Sequence, residues 1–280
     1  MSMIKSFAIL GGDKRQIFCG KSIAEDGFGV VFSGFERYSG EAPVRSCSMR
    51  EAAGECDAII LPLPCSRNGK TLNAPFADRE VLLEEISSLA GSRPVFCGMK
   101  NRMEVCFERV FDYSDREEFA VENAVPTAEG AIELAMREYE GTINSSRCLV
   151  AGYGRIGRVL SSMLQGLGGI VTVSARRLGD MAFARASGMN AIPSSEISGK
   201  YDIIFNTIPH LVFDPQTLAR TSPSLVIDLA SSPGGVDFEG AKRLNLKALH
   251  ALSLPGKAAP AASGIIIKNA VYNIIREEQL

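Results

Sequence analysis

Two periods of apolar residues alternate along this chain, and each change of period marks a new element. Cys148-Leu149-Val150-Ala151 is an unbroken apolar run, the pattern of a strand buried on both faces. It stops at a glycine. Apolar residues then recur at Ile156, Val159, Leu160, Met163, Leu164 and Leu167, which is one face of an α-helix. A second strand, Ile170 to Ser174, comes close behind. Downstream the pattern predicts a helix over Asp180 to Ser187 and a short strand over Asn190 to Ile192. Asp202 starts a strand that runs into a loop ending at His210. Two more strands follow, Ser224 to Asp228 and Lys247 to Ala251.

The first part of the chain repeats this alternation. Strands are expected at Phe7 to Leu10, Val30 to Phe32, Ala58 to Leu61 and Pro94 to Gly98, and Arg109 to Asp112 allows a fifth. Helices are expected at Lys14 to Asp26 and Val81 to Leu89. Proline cannot donate to a sheet ladder, so Pro62-Leu63-Pro64 ends the third strand. The polar stretch Cys65 to Asn73 then reads as a loop. Phe119 to Asn144 connects the two parts, with Thr127 as the N-cap of a helix over Ala128 to Tyr139. Leu254 to Pro260 reads as a loop. Ala261 to Glu278 reads as an amphipathic helix with Ile265, Ile266, Ala270, Ile274 and Ile275 on its apolar face.

Strands alternating with helices imply parallel sheets with helices on both faces. The expected fold is α/β, with two doubly wound domains joined by crossing helices. Residues 1–120 form a flavodoxin-like substrate domain, and residues 121–257 a Rossmann dinucleotide-binding domain. The last helix, 258–280, packs back on the first domain.

The break after Ala151 carries the strongest chemistry. Gly152-Tyr153-Gly154-Arg155-Ile156-Gly157 has the G-x-G-x-x-G spacing, and it lies between a strand and a helix as a dinucleotide site requires. Gly152 permits the tight turn, Gly154 lets a diphosphate approach the backbone, and Gly157 lets the helix pack on the strand. The diphosphate would lie on the open amides of that helix start. An NAD-preferring site places an acid near the end of the second strand, for the ribose 2′-hydroxyl. Here Ser174-Ala175-Arg176-Arg177 has no acid and two arginines. Guanidinium groups match phosphate, so the expected cofactor is NADP. Two solvated arginines on a loop is the plainer alternative.

Ligands of open α/β sheets bind beyond the carboxyl ends of the strands. Asn206, Thr207, Ile208 and Pro209 are therefore expected beside the ribose and nicotinamide, and Ala230 and Ser231 on the nicotinamide side. Turn chemistry at a strand end would account for the same residues. Arg15, Lys100 and Lys257 sit next to strand ends and would suit a substrate carboxylate, although each alone also reads as a surface charge. His210 is the better placed of the two histidines for acid–base work. His250, within a strand, reads as structural.

Composition narrows the partners. A net charge of −2 without a basic tract gives no pull toward nucleic acid or membrane. The N-terminal apolar run is too short for a signal peptide, and no apolar stretch is long enough to span a bilayer. The protein is expected to be cytoplasmic. Seven scattered cysteines without a C-x-x-C pair argue against a disulfide framework or zinc site, and two histidines against a histidine-rich metal centre.

Several segments in this order resemble the A-subunit family of dipicolinate synthase. They are Gly11-Gly-Asp-Lys-Arg-Gln16, Asn123-Ala-Val-Pro-Thr-Ala-Glu-Gly130, Gly152 to Gly157, Asn206-Thr-Ile-Pro209, Asp228-Leu-Ala-Ser-Ser-Pro-Gly-Gly235 and Leu254-Pro-Gly-Lys-Ala-Ala-Pro260. The layout is more distantly similar to alanine dehydrogenase and the 2-hydroxy-acid dehydrogenases. The resemblance implies formation of dipicolinate (pyridine-2,6-dicarboxylate) during sporulation from a cyclic hydroxy-tetrahydrodipicolinate. The flavoprotein-like B-subunit of dipicolinate synthase is the implied partner. With it, Arg15 and Lys257 would bind substrate carboxylates, and His210 or a bound water would move the proton. Further copies of the same chain are also expected partners. The loop Cys65 to Leu72 does not match the family pattern. Another small-acid dehydrogenase, or a protein that holds nucleotide without turnover, are the competing readings.

Overall fold

The structure, a computed structural model, describes residues 4–40 and 45–280. Met1 to Met3, part of the N-terminal stretch considered above, lie outside the described residues. The chain divides into two units, Met1–Asn123 with Ala259–Leu280, and Ala124–Ala258.

In the first unit the order is β1 (Ser6–Leu10), α1 (Lys14–Glu25), β2 (Gly29–Ser33), α2 (Met49–Glu55), β3 (Ala58–Ile60), α3 (Leu83–Ala90), β4 (Val95–Cys97), β5 (Val110–Asp112) and α4 (Glu117–Glu122). All strand pairs are parallel, and the spatial order is β2-β1-β3-β4-β5. This is the flavodoxin-like order. Side chains alternate across β1 and so feed two cores. Phe7 and Ile9 meet Ile17, Ile23 and Phe32 on one face, together with Ile267, Val271 and Ile274 of the C-terminal helix, Pro260–Glu277. Ala8 and Leu10 meet Ala52 and Ala53 of α2 and Leu83 and Ile86 of α3 on the other.

The C-terminal helix lies along α1 in this unit. Lys268 Nζ reaches Asp26 Oδ2 at 2.8 Å, and Tyr272 donates its hydroxyl to the same oxygen at 3.0 Å. The Lys268 contact holds the Asp26 carboxyl below its usual range. Helix α2 is an element that the apolar pattern did not predict. Its start is a capping box, with Ser48 accepting from the Glu51 amide and Glu51 accepting from the Ser48 amide.

The second unit begins with α5 (Ala124–Glu138). There follow β6 (Arg147–Ala151), α6 (Arg155–Gly166), β7 (Ile170–Ala175), α7 (Leu178–Ala186), β8 (Asn190–Pro193), β9 (Ile203–Asn206), α8 (Pro215–Thr221), β10 (Leu225–Asp228), α9 (Phe238–Arg243), β11 (Lys247–His250) and α10 (Leu254–Ala258). The parallel sheet runs β11-β10-β9-β6-β7-β8. From β6 the chain builds outward through β7 and β8, then crosses to the other side for β9, β10 and β11. That is the Rossmann order, and the reversal leaves a crevice at the carboxyl ends of β6 and β9. Cys148 and Val150 of β6 pack with Ile203, Phe205, Leu160 and Leu164 on one face. Leu149 and Ala151 pack with Ile204, Phe213 and Leu218 on the other.

Two expectations are corrected here. Thr127 is not an N-cap: α5 already starts at Ala124, and Thr127 is buried inside it. Pro126 did not prevent this, because a first-turn residue has no intrahelical use for an N–H. For the same reason Leu254–Ala258 is a short helix, where the proline and glycine pattern suggested a loop.

Candidate functional site

The turn after β6 has the backbone its glycines were read to require. Gly152 has φ +95°, and a Cβ there would lie 2.4 Å from Thr207 Oγ1. At Gly157 a Cβ would lie 2.1 Å from the Gly152 carbonyl oxygen, so α6 meets the turn at backbone contact. At Gly154 a Cβ would meet nothing within 4 Å. This glycine is not required by protein packing, and the space over it is open to a ligand. Gly154 is also the N-cap of α6 and gives it no side-chain cap. The exposed Arg155 and half-buried Ile156 therefore open a helix whose first-turn amides and dipole face that space.

Ser174 supplies a second sign. Its carbonyl accepts from the Gly152 amide at 2.9 Å, while its hydroxyl is fully buried and has no hydrogen-bond partner. Buried hydroxyls are nearly always paired, so an orphan beside the turn is where a bound polar group belongs. The bare helix start, the open face at Gly154 and the orphan hydroxyl fit a dinucleotide diphosphate. Just beyond, Arg176 and Arg177 are exposed at the end of β7, with no ion-pair partner among the described residues.

Sequence reasoning missed the brace on this turn. Arg158 Nη2 pairs with Asp180 Oδ1 at 2.8 Å, and its Nε donates to the Tyr153 carbonyl at 3.2 Å. Its guanidinium also lies 5.3 Å from the Tyr153 ring centre and 5.4 Å from that of Phe183. Tyr153 is thereby packed into the unit, and α6 is clamped to α7. Arg158 and Asp180 are 22 residues apart. No helical or strand spacing connects them.

The loop after β9 corrects a further expectation. Asn206 is fully buried and its amide is committed inside the protein. Its Nδ2 donates to Asp228 Oδ1 at 2.7 Å and to the Ile208 carbonyl at 3.0 Å, and its Oδ1 accepts from the Ile208 amide at 3.1 Å. It cannot also donate to a sugar hydroxyl, because both N–H bonds are in use. Thr207 donates to the Ala151 carbonyl at 2.9 Å and keeps its lone pairs for accepting. Ile208 is half-buried, and Pro209 and His210 are exposed. After β10, Ala230 is buried and Ser231 exposed. His250 is at the end of β11, where its Nε2 lies 2.9 Å from the Ala230 carbonyl. Lys257 is exposed on α10.

In the first unit the loops after β1, β3 and β4 are tied together at their strand ends. The Gly12 amide donates to the Asn73 carbonyl at 2.9 Å, and the Cys65 amide to the Gly98 carbonyl at 2.9 Å. The stretch from Cys65 to Leu72 folds as a narrow hairpin. Ser66 bridges Leu72, and Asn68 Oδ1 accepts from the amides of Lys70 and Thr71. Arg15 is corrected as a free cation. Its side chain is 8% exposed, pairs with Asp13 through Nε and Nη2 at 2.9 and 2.8 Å, and donates to the Leu63 carbonyl at 2.6 Å. Asp13, the N-cap of α1, neutralises it on the spot. Lys100 stays exposed, on a turn fixed by its own amide donating to Asp112 at 2.7 Å.

All seven cysteines are free, and burial pushes the thiols of Cys19 and Cys148 up to about 12. Such thiols are inert at neutral pH. Among the described residues no group of three or more His, Cys, Asp or Glu could hold a metal, and no helix is long and apolar enough to cross a membrane.

Comparison with known proteins extends these observations. Residues 6–108 match the family model for the N-terminal domain of the dipicolinate synthase A-subunit. The A-subunit of dipicolinate synthase from Bacillus subtilis (strain 168) is 30% identical over 97% of this chain and 96% of its own length. The crystal structure of the dipicolinate synthase A-subunit from Bacillus subtilis superposes with TM-score 0.86 at 29% identity. It covers 100% of this chain and 98% of that one. The corresponding structure from Bacillus halodurans gives TM-score 0.84 at 28% identity, covering 98% of this chain and 99% of that one.

Proposed function

The chain belongs to the A-subunit family of dipicolinate synthase, and on that premise we propose that it is the NADP-dependent oxidoreductase component of such an enzyme. It forms dipicolinate from a cyclic hydroxy-tetrahydrodipicolinate during sporulation, in the cytoplasm, together with the flavoprotein-like B-subunit. The observation that carries the reading is the uncapped start of α6. There Gly154 faces open space and Ser174 Oγ has no partner, with Arg176 and Arg177 just beyond β7.

The amides at the start of α6 bind the diphosphate, and Gly152 and Gly157 keep the turn low enough for it to reach them. Arg176 and Arg177 hold the ribose 2′-phosphate, which a guanidinium fork suits. Thr207 accepts from a sugar hydroxyl. Bound this way, a nicotinamide supplies a two-electron acceptor for hydride. Loss of one water and of two electrons with two protons converts the hydroxy-tetrahydropyridine dicarboxylate to the aromatic ring, and aromatisation makes that direction favourable. Lys257, a candidate cation left exposed on α10, serves a substrate carboxylate, while Arg15 holds the turn after β1. His210, exposed on the loop beyond β9, or a bound water, takes the proton.

The test is turnover by the purified chain with the B-subunit, the precursor and NADP+. The expected result is one NADPH formed per pyridine dicarboxylate. Dipicolinate produced without nucleotide reduction would move the oxidation to a flavin. NADPH oxidation driven by a linear keto or imino acid, with no turnover of the cyclic dicarboxylate, would make the chain another small-acid dehydrogenase.

A further inference from the structure

Asp228 ends β10 as a fully buried carboxylate, and no cation pairs with it among the described residues. What it has instead is three N–H donors, one at the end of β9 and two in the loop after β10. Oδ1 accepts from Asn206 Nδ2 at 2.7 Å and from the Ala230 amide at 3.1 Å, and Oδ2 accepts from the Gly235 amide at 2.7 Å. A carboxylate can gather three donors because all its sites accept. An amide of the same shape would turn an N–H group against one of them.

The donors come from the segments that leave β9 and β10, and other contacts bind the same segments. The Gly235 carbonyl accepts from the amides of Val212 and Phe213 at 3.0 and 2.9 Å. A Cβ on Gly235 would lie 2.5 Å from both Asn206 Nδ2 and the Ile208 carbonyl oxygen, so the two loops touch at backbone level. His250 closes the far side. A carbonyl only accepts, so its Nε2 must carry the proton it shares with Ala230, and its ring stacks on Phe238 with centres 5.5 Å apart. The two loops are thus one ledge, pinned from beneath by Asp228.

We propose that Asp228 is a positioning residue for the nicotinamide half of the dinucleotide. The inference rests on the nucleotide-binding reading above. In this strand order the adenosine half lies over β7 and the nicotinamide half over β9 and β10. Asp228 sets the height of the ledge under the second half only. The glycine turn and Arg176 and Arg177 hold the first half without it.

The two halves can be measured apart. ADP carries the adenosine and diphosphate without the nicotinamide, so it serves as the probe for the first half. NADP+ or NAD+, whichever the wild type binds more tightly, probes both. In Asp228→Asn, affinity for the dinucleotide is expected to fall about 10- to 100-fold, as for the loss of one or two ligand hydrogen bonds. Affinity for ADP is expected to stay within about twofold, since its contacts are untouched. A general loosening of the unit would weaken both ligands alike, and that result, or no change in either, overturns the proposal. Wild-type protein that binds neither probe overturns the nucleotide reading itself, and this inference falls with it. Should Asp228→Asn fail to fold, His250→Ala makes the same comparison at a half-buried ring. The same split is expected there, with His250→Gln, which restores an N–H, recovering dinucleotide affinity. An unsplit loss, or no recovery, again overturns it.

Discussion

Gly157→Ala is expected to lower nucleotide affinity about 100-fold, the loss of one or two charge-assisted hydrogen bonds to the diphosphate, and to destabilise the second unit by about 1–3 kcal/mol. The added methyl would lie 2.1 Å from the Gly152 carbonyl oxygen, a backbone atom that cannot rotate aside. Carbon and oxygen need more than about 3 Å, so α6 must move off the turn by about 1 Å. That shift carries the first-turn amides away from the diphosphate together with the helix dipole. Titration with NADPH and thermal unfolding would read the two effects. Gly154→Ala provides the contrast, because its Cβ would meet open space. Unfolding should hardly change there, while nucleotide affinity still falls as the methyl enters the space left for the ligand.

The double variant Arg176→Ala, Arg177→Ala is expected to cost about 100-fold in affinity for NADPH and little for NADH. A hydrogen bond to a charged group contributes about 1.5–3 kcal/mol, and each step of about 1.4 kcal/mol is tenfold in binding. Both guanidiniums are exposed, so their attraction for the 2′-phosphate is screened by salt. The wild-type preference for NADPH should therefore shrink as ionic strength rises, and the variant should show no such dependence. Equal affinity of the wild type for the two nucleotides would remove the assignment of Arg176 and Arg177.

The parts of the fold legible in sequence are those specified within a few residues. The turn after β6 is one: a buried strand, three glycines and a helix period occupy one short stretch, and each glycine has a reason visible in the one-dimensional pattern. Other signals are equally local, though weaker than the apolar period. Asp214-Pro215 and Asp237-Phe238 mark the starts of α8 and α9 through an aspartate N-cap, helped in the first by a first-turn proline. Ser48 and Glu51 announce α2 in the same way. Arg15 looks like a free cation because it follows a strand end, although its neutralising partner, Asp13, is only two residues away.

Contacts across the sheet are a different matter. The carboxylate of Asp228 and the amide of Asn206 meet because β9 and β10 run side by side in register, Asp228 opposite Asn206. Strand pairing is set by the hydrophobic pattern of the whole sheet; the Asn206-Thr-Ile-Pro209 segment suggests the local turn to Ile208, but nothing within it says that the other N–H is spent on Asp228. The same holds for Arg158 with Asp180. The sequence therefore pointed to the strand ends and misjudged which side chains there remain available to a ligand.

The most direct measurement is a crystal structure of the protein grown with NADP+. The expected density has the diphosphate against the amides of Arg155, Ile156 and Gly157, the 2′-phosphate within hydrogen-bond reach of Arg176 or Arg177, and Ser174 Oγ with a partner. An empty crevice over Gly154, or a nucleotide bound with both guanidiniums turned away from its ribose, would contradict it.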